Sequence, residues 1–289
     1  MFKKKNRFLL LSHVVLILVT ICVLIPFWLL FVASFTDNAW AVKNGFTFFP
    51  AQWSMDAYRY LLAKLNVFGK AYMITICVTV SGVVLSLLLT VPCAYMLSQK
   101  DLPGKGIITF LLVFTMLFSG GMVASYINYT QVFHLKNSYL AYVIPNFLCG
   151  AMNIMLVKSY FASSIPEALM DSARIDGASE FGGFIKIAVP LAKPIIATIA
   201  LMTGIMYWND WSNGAYYISD TGMLGIQNIL NSINNSTSYM NYLAGGSGSA
   251  PTTTMRLAIA VIGVLPLMIA YPFFQQYFVK GITLGAVKG

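Results

Sequence analysis

Acidic residues are rare in this chain, yet four of its nine lie in one polar segment between positions 159 and 194. The segment reads SYFASSIPEALMDSARIDGASEFGGFIKIAVPLAKP, and its acids are Glu167, Asp171, Asp176 and Glu180. Ser164 followed by Glu167 matches the S-x-x-E capping box, which predicts that a helix begins near Ile165. Carboxylates on a short helix could form ion pairs with a soluble partner, so the segment is a candidate docking element.

The same segment also contains the signals that should divide it into two helices. Gly177 is expected to end the first helix in the left-handed conformation, and Ser179 can cap a second one. Pro190 should then end or bend the second helix where the next apolar run begins. The predicted product is a stiff pair of helices joined at an angle. An ordinary amphipathic helix on the membrane surface is the alternative interpretation.

The sequence contains no cluster of residues with the spacing of a catalytic or metal site. Its cysteines stand singly in apolar runs and are interpreted as small packing residues; they are Cys22, Cys77, Cys93 and Cys149. Lys105 follows Gly104 in LPGKG, but the G-x-x-x-x-G-K-[ST] motif that binds phosphate does not surround it. We therefore expect no enzyme activity and no cofactor in this chain.

The elements that carry these residues are expected to be membrane helices. Charged residues make up 9% of the chain, against about 25% in soluble domains, and apolar residues make up 58%. Apolar stretches long enough to cross a bilayer predict transmembrane helices at 12–35, 71–97, 106–126, 137–158, 191–211 and 256–279. The predicted fold class is an all-α polytopic membrane protein, a single domain over 1–289, with helices in the loop 164–190 between the fourth and fifth spans.

The distribution of basic residues predicts the orientation of these six spans. With the N-terminus inside, twelve Lys and Arg residues lie on the cytoplasmic side and six lie outside, so both termini are expected in the cytoplasm. The net charge of +9 then indicates an anionic lipid surface as partner, and no nucleic acid. The start MFKKKNR is not followed by a cleavage site, which predicts an uncleaved first helix.

The polar segment resembles the EAA loop of ABC importer permeases, whose pattern is E-A-A-x3-G-x9-I-x-L-P. Here the positions are Asp171-Ser172-Ala173, Gly177, Ile187 and Val189-Pro190, with the family spacing kept. The departures are Asp171, Ser172 and Val189, which keep the charge, the small size and the apolar character. The segments ASFTD, FTFFPAQWSMDAYRYLL and KGITLGAVKG resemble the carbohydrate, maltose-permease-like branch. Within that branch the polysaccharide, lipoprotein-like permeases are the most similar.

The resemblance implies a permease subunit that moves a carbohydrate, such as an oligosaccharide or polysaccharide fragment, into a bacterial cell by ATP-driven alternating access. It implies a second, different permease, two cytoplasmic ATPase subunits that bind ATP and Mg, and an extracellular solute-binding lipoprotein. The positions that would couple this chain to the ATPase are Glu167, Asp171, Ser172, Ala173, Gly177, Ile187 and Pro190. An importer of the same build for a peptide or polyamine remains an alternative, as does an autonomous secondary transporter.

A sugar pathway should combine polar groups with aromatic faces that stack on sugar rings. The run Tyr207-Trp208-Asn209-Asp210-Trp211 near the end of the fifth span has this composition. An aromatic belt at the membrane interface would look similar. A second candidate set is Tyr126 and Asn128, which follow Ser119-Gly120-Gly121, where the glycines would permit a bend or close packing.

Two exterior segments complete the prediction. The segment from Ser212 to Thr254 is rich in Asn, Ser, Gly and Tyr, which suits either a docking surface or a solvated linker. A short helix from about Ser54 to Leu65, capped by Ser54, is expected in the membrane interface.

Overall fold

The computed structural model describes residues 2–145, 148–235 and 252–286. Helices dominate these ranges, whose one β feature is an isolated antiparallel bridge between Thr36 and Trp53. The predicted all-helical class is therefore confirmed for the described residues. The chain divides into two compact units, Met1–Phe68 with Leu230–Leu265 and Gly69–Ile229 with Pro266–Gly289.

The first unit is built from N-terminal helices and from the start of the long C-terminal helix. Its elements are α1 (Phe2–Ser34), α2 (Asn38–Asn44), α3 (Asp56–Ala63), most of α14 (Ile226–Asn235) and the first half of α15 (Thr252–Ala286). Asn38 Oδ1 accepts hydrogen bonds from the backbone N–H groups of Thr253 and Thr254, at 3.2 and 3.3 Å. This contact ties the start of α15 to the start of α2.

Helix α3 occupies the region in which a short interfacial helix was predicted. Its capping position is Met55 rather than Ser54, although Ser54 Oγ accepts a hydrogen bond from the Asp56 N–H at 3.0 Å. The helix is held to the end of α1 because the Tyr58 hydroxyl lies 2.7 Å from Ser34 Oγ. The Tyr58 ring also stacks on Phe35 at 4.5 Å.

The second unit contains the remaining elements. They are α4 (Leu65–Ser98, from Gly69), α5 (Lys105–Leu117), α6 (Gly121–Ile127), α7 (Leu140–Val143), α8 (Ala151–Ser164), α9 (Glu167–Ile175), α10 (Glu180–Gly183), α11 (Val189–Leu191), α12 (Lys193–Trp208) and α13 (Ser212–Tyr217). Turns of π-helix at Asn128–Val132 and Phe184–Ala188 continue α6 and α10, and Thr221–Met223 forms a 3-10 turn.

Three of the described helices are long and apolar enough to cross a membrane: Leu9–Ser34, Leu65–Ser98 and Thr253–Gln275. In the most apolar 18 residues of the first of these helices, no residue is buried inside the protein. A helix that is apolar on every side and is not covered by protein has lipid as its natural surrounding. Together these helices make the chain a multi-pass membrane protein.

Two further apolar segments are bent pairs of helices, and counting each as one span gives up to five. Lys105–Leu117 and Gly121–Val132 meet at 115°, because Phe118 is extended and Gly121 takes a positive φ of 79°. The glycines of the predicted third span therefore produce a bend. Glu180–Leu191 and Lys193–Trp208 meet at 75°, close to Pro190, which was expected to end or bend the helix there.

The predicted fourth span, 137–158, is divided between two elements. Helix α7 ends at Val143, and α8 begins only at Ala151. Pro145 lies in the gap, and the side-chain amide of Asn213 donates to its carbonyl at 3.3 Å. A neighbouring side chain thus satisfies a backbone oxygen in the gap between the two helices.

Candidate functional site

The polar segment folds into two short helices, but the first begins later than the capping box predicted. Helix α8 continues to Ser164, and α9 begins at Glu167 after Pro166, which makes no side-chain cap. The Ser164 capping prediction is therefore wrong. Proline suits this position because its missing N–H group would have no partner in the first turn of a helix.

The turn between α9 and α10 follows the prediction. Gly177 has a φ of +84°, its N–H donates to the Arg174 carbonyl at 3.0 Å, and the Ala178 N–H donates to the Ala173 carbonyl at 2.9 Å. These bonds satisfy carbonyls of the last turn of α9, which ends at a glycine in the left-handed conformation. Ser179 Oγ then accepts the Gly182 N–H at 3.1 Å and caps α10.

Arg174 joins the two helices across this turn. Its Nη1 lies 2.9 Å from Asp171 Oδ1 on α9, and its Nε lies 2.7 Å from Glu180 Oε1 on α10. A second bond from Nη2 to Glu180 Oε2, at 3.3 Å, makes the contact with Glu180 bidentate. The hydrogen bonds from Arg174 hold the pKa of the Glu180 carboxyl below its usual value. Such a forked pair fixes orientation as well as charge.

The start of α9 is joined to the end of α4. Lys100 Nζ donates to Glu167 Oε2 at 2.6 Å, with both side chains exposed. The Glu167 carboxylate raises the pKa of Lys100 through this hydrogen bond. The helix pair is therefore connected by charge to the turn that follows α4.

The inner face of the pair packs into the core of the second unit. Met170, the buried residue of α9, belongs to a cluster with Tyr95, Phe161 and Phe184. A Cβ atom at Gly183 would lie 2.9 Å from the Met170 methyl carbon, so the absence of a side chain there allows α9 and α10 to approach. Motion of the pair must therefore be shared by the helices beneath it.

The remaining residues of the EAA-like pattern take less prominent positions. Ser172 donates its hydroxyl to the Ala168 carbonyl at 2.8 Å, within α9. Ala173 and Ile187 are half-buried, and Pro190 is exposed in α11 just before the 75° bend. These residues shape and pack the pair, whereas its charges lie at the ends and across the turn.

The outer face of the pair presents apolar side chains to solvent. Ile175 is 86% exposed and Phe181 is 70% exposed, one on each side of the Gly177 turn. Large exposed apolar side chains on an otherwise charged segment are typical of a protein–protein contact. The segment can therefore offer a partner both charge and apolar area.

The five residues of the run 207–211 do not share one environment. Tyr207 and Trp208 are 2% and 4% exposed, the Tyr207 hydroxyl donates to the Val143 carbonyl at 2.7 Å, and the Trp208 ring packs edge-on against Tyr72. Asn209 and Trp211 are exposed. Asp210 Oδ1 accepts three hydrogen bonds at 2.9 to 3.1 Å from Ser212 and Asn213, the first two residues of α13.

The second candidate set lies beside an aromatic group. Tyr126 stacks on Tyr217 with ring centres 6.0 Å apart, and Tyr129 meets the same ring edge-on at 5.9 Å. Asn128 is exposed at the start of the π-helical turn. The aromatic faces at this end of the unit are thus arranged around Tyr217.

Several contacts were not anticipated as part of the site. Asp171 and Arg174 are three residues apart, and opposite charges at this spacing on a helix commonly pair. This ion pair within α9 could therefore have been predicted from the sequence. The bond from Lys100 to Glu167 joins the turn after α4 to α9, and the bond from Arg174 to Glu180 joins α9 to α10. Periodicity within one helix does not report contacts of that kind.

Comparison with known proteins gives a consistent assignment. Residues 72–284 match the family described as "Binding-protein-dependent transport system inner membrane component". The chain is 38% identical to the polygalacturonan/rhamnogalacturonan transport system permease protein YtcP of Bacillus subtilis, over 99% of this chain and 100% of that protein. It is 33% identical to protein LplC of the same species, over 92% of this chain and 90% of that protein.

A solved structure agrees with these sequence comparisons. It is a chain of a bacterial ABC transporter involved in the import of the acidic polysaccharide alginate, with a TM-score of 0.79 and 32% identity over 94% of this chain and 97% of that chain. The resemblance read from the EAA-like pattern is thereby confirmed. The chain belongs to the family of binding-protein-dependent transport system inner membrane components, as a permease subunit.

Proposed function

We propose that this chain is the permease subunit of a bacterial ABC importer for an oligosaccharide or polysaccharide fragment. The observation that carries the proposal is the exposed helix pair α9–α10, which Arg174 braces internally. The chain that contains it matches YtcP and LplC over at least 90% of their length. A second permease, two cytoplasmic ATPase subunits and an extracellular lipoprotein complete the importer. The ATPase subunits bind ATP and Mg, and hydrolysis drives alternating access.

In this proposal the chain crosses the cell membrane six times with both termini in the cytoplasm. The bent pairs provide the third and fifth spans, and α7 with α8 provides the fourth. The excess of Lys and Arg on one side supports this orientation. The loop 164–190 then lies on the cytoplasmic side, where the ATPase subunits are.

The helix pair is proposed to dock on the ATPase through Ile175 and Phe181. Arg174 and Lys100 keep Asp171 and Glu167 in place, and they brace the pair against α4 and across the turn. These ion pairs make the two helices move as one body. A rigid body is needed to transmit a displacement from the ATPase to the membrane helices. Ala173, Ser172, Ile187 and Pro190 contribute the packing and the bend.

For the substrate path we retain both candidate groups and distinguish their members by exposure. Asn209, Trp211 and Asn128 are exposed and can meet a sugar directly. Tyr207, Trp208 and Asp210 support the exposed residues: Tyr207 and Trp208 are buried, and Asp210 Oδ1 bonds the start of α13. Tyr126 offers part of its ring beside Tyr217.

Reconstitution tests the proposal. The chain, its partner permease and the ATPase subunits in proteoliposomes should take up an oligosaccharide only when the lipoprotein is outside and ATP inside. Uptake by this chain alone, insensitive to ATP, would instead establish a secondary transporter. Tight binding of peptides or polyamines, and not glycans, by the cognate lipoprotein would refute the sugar cargo.

A further inference from the structure

A cavity of about 520 Å³ lies at the end of α1, where the first apolar segment stops at Ser34. All of its lining residues belong to the first unit, so the cavity is formed within one compact body. Sites for small molecules occupy roughly 300–1,000 Å³, and this cavity falls in that range. Its lining includes Phe35, Asp37, Trp53, Ser54, Asp56 and Arg59.

Backbone hydrogen bonds hold the two segments that line the cavity against each other. The Ser54 N–H donates to the Phe35 carbonyl at 2.8 Å, and the Asp37 N–H donates to the Gln52 carbonyl at 3.1 Å. These bonds flank the isolated β-bridge of the unit. The Phe35 ring is also stacked on Tyr58 at 4.5 Å. The walls are therefore fixed before a ligand arrives, which lowers the cost of binding.

The side chains of the cavity combine an aromatic ring with hydrogen-bonding groups of both kinds. Trp53 is 61% exposed, so its ring is accessible to a ligand. Asp56 and Arg59 lie 3.5 Å apart, and both are exposed. A carboxylate accepts hydrogen bonds and a guanidinium donates them, so the two can bind neighbouring hydroxyl groups together. The C–H face of a sugar ring can pack on the indole. These are the two kinds of contact that a sugar ring offers.

The charge of the cavity distinguishes between kinds of sugar. Its lining contains two carboxylates, Asp37 and Asp56, and one guanidinium, Arg59. The excess negative charge disfavours a sugar that carries a carboxylate, because like charges placed together discriminate against a ligand. We propose that this cavity binds a neutral sugar ring of the cargo at the exterior entrance of the permease. The inference rests on the proposed function, under which the end of α1 lies outside, and it adds a site to the two candidate groups of the path.

The test measures sugar binding by the complete importer in nanodiscs without its lipoprotein, because the lipoprotein would bind the sugar itself. The probes are a neutral galactose trimer and a galacturonate trimer, and the readout is the dissociation constant from titration followed by saturation-transfer NMR. The wild type should bind the neutral trimer more tightly than the acidic one. Trp53→Ala should raise the dissociation constant for the neutral trimer about fivefold or more. Asp56→Asn should narrow the difference between the two trimers.

Phe49→Ala is the matched control for the loss of the Trp53 ring. Phe49 is an aromatic residue of the same unit, is 80% exposed and does not line the cavity. This variant should bind the neutral trimer as the wild type does. Trp53→Phe, which keeps an aromatic face, should recover part of the loss. Docking of the sugar-free lipoprotein, thermal stability in detergent and the basal ATPase rate should be unchanged in every variant.

Each other result overturns the inference in a recognisable way. Weaker docking of the lipoprotein by Trp53→Ala, with unchanged sugar binding, would assign the cavity to a protein partner. Lower stability with unchanged sugar binding would assign Trp53 to the membrane interface. No binding of the neutral trimer, or tighter binding of the acidic one, would refute the inference and leave the importer function standing. The absence of ATP-dependent uptake of any glycan with the lipoprotein present would refute the proposed function itself.

Discussion

Replacing Gly177 tests whether the left-handed turn between α9 and α10 is needed for coupling. At a φ of +84°, a residue with a Cβ atom loses about 1–2 kcal/mol relative to glycine. A Cβ at this position would meet no atom within 4 Å, so the cost comes from the backbone alone. Gly177→Ala and Gly177→Leu should therefore cost the same, and Gly177→Asn should cost less because asparagine tolerates this conformation.

A cost of this size changes the ratio of the bent to the straightened arrangement by about 5–30-fold. We expect the Ala and Leu variants to lose uptake per ATP hydrolysed several-fold, with insertion in the membrane unchanged and with Asn close to the wild type. The assay is simultaneous measurement of oligosaccharide uptake and phosphate release in proteoliposomes. Thermal unfolding in detergent measures the backbone cost separately.

Gly104 is the matched control for this experiment. It also has a positive φ, +74°, and its position would also place a Cβ in open space. Gly104→Ala should show a similar loss of thermal stability and normal coupling. Normal coupling in Gly177→Leu would refute the reasoning. If Leu were much worse than Ala, bulk against a partner chain would be the cause instead of backbone strain.

Two further predictions concern packing and the α4 brace. A Cβ at Gly82 would lie 2.5 Å from the Tyr207 ring, whereas one at Gly106 would meet nothing within 4 Å. Gly82→Ala should therefore lower the free energy of unfolding in detergent by about 1–3 kcal/mol. Gly106→Ala is the control, and equal stability of the two variants would contradict the packing described. Lys100→Glu and Glu167→Lys should each reduce coupled uptake, because each places like charges together. The double variant that exchanges the two residues should restore uptake. A double variant no better than either single variant would show that the Lys100–Glu167 bond does not brace the helix pair.

Much of the fold follows from local sequence signals. The apolar runs of α1, α4 and α15 predict long helices because a bilayer requires about 20 apolar residues in succession. Gly177 and Ser179 predict the turn and the second cap because their conformational and hydrogen-bonding properties act within a few residues. The Ser164 box failed because α8 extends through the serine and Pro166 begins the next helix, a competition between neighbouring elements.

The environments of the candidate site residues depended on long-range contacts. In the run 207–211, composition could not separate the buried Tyr207 and Trp208 from the exposed Asn209 and Trp211, because burial depends on which helices pack alongside. The brace from Lys100 to Glu167 joins residues 67 positions apart.

The sequence by itself determined that this protein belongs in a membrane and that the segment 164–190 has the EAA-like pattern. Scarcity of charge, helix signals and spacing are local properties, and each can be read from a few consecutive residues. Only the tertiary structure decided which charges are paired. It joined Glu167 to a lysine in the turn after α4 and Glu180 to an arginine on α9. Ion pairing depends on distances across the folded chain, and one sequence does not contain those distances.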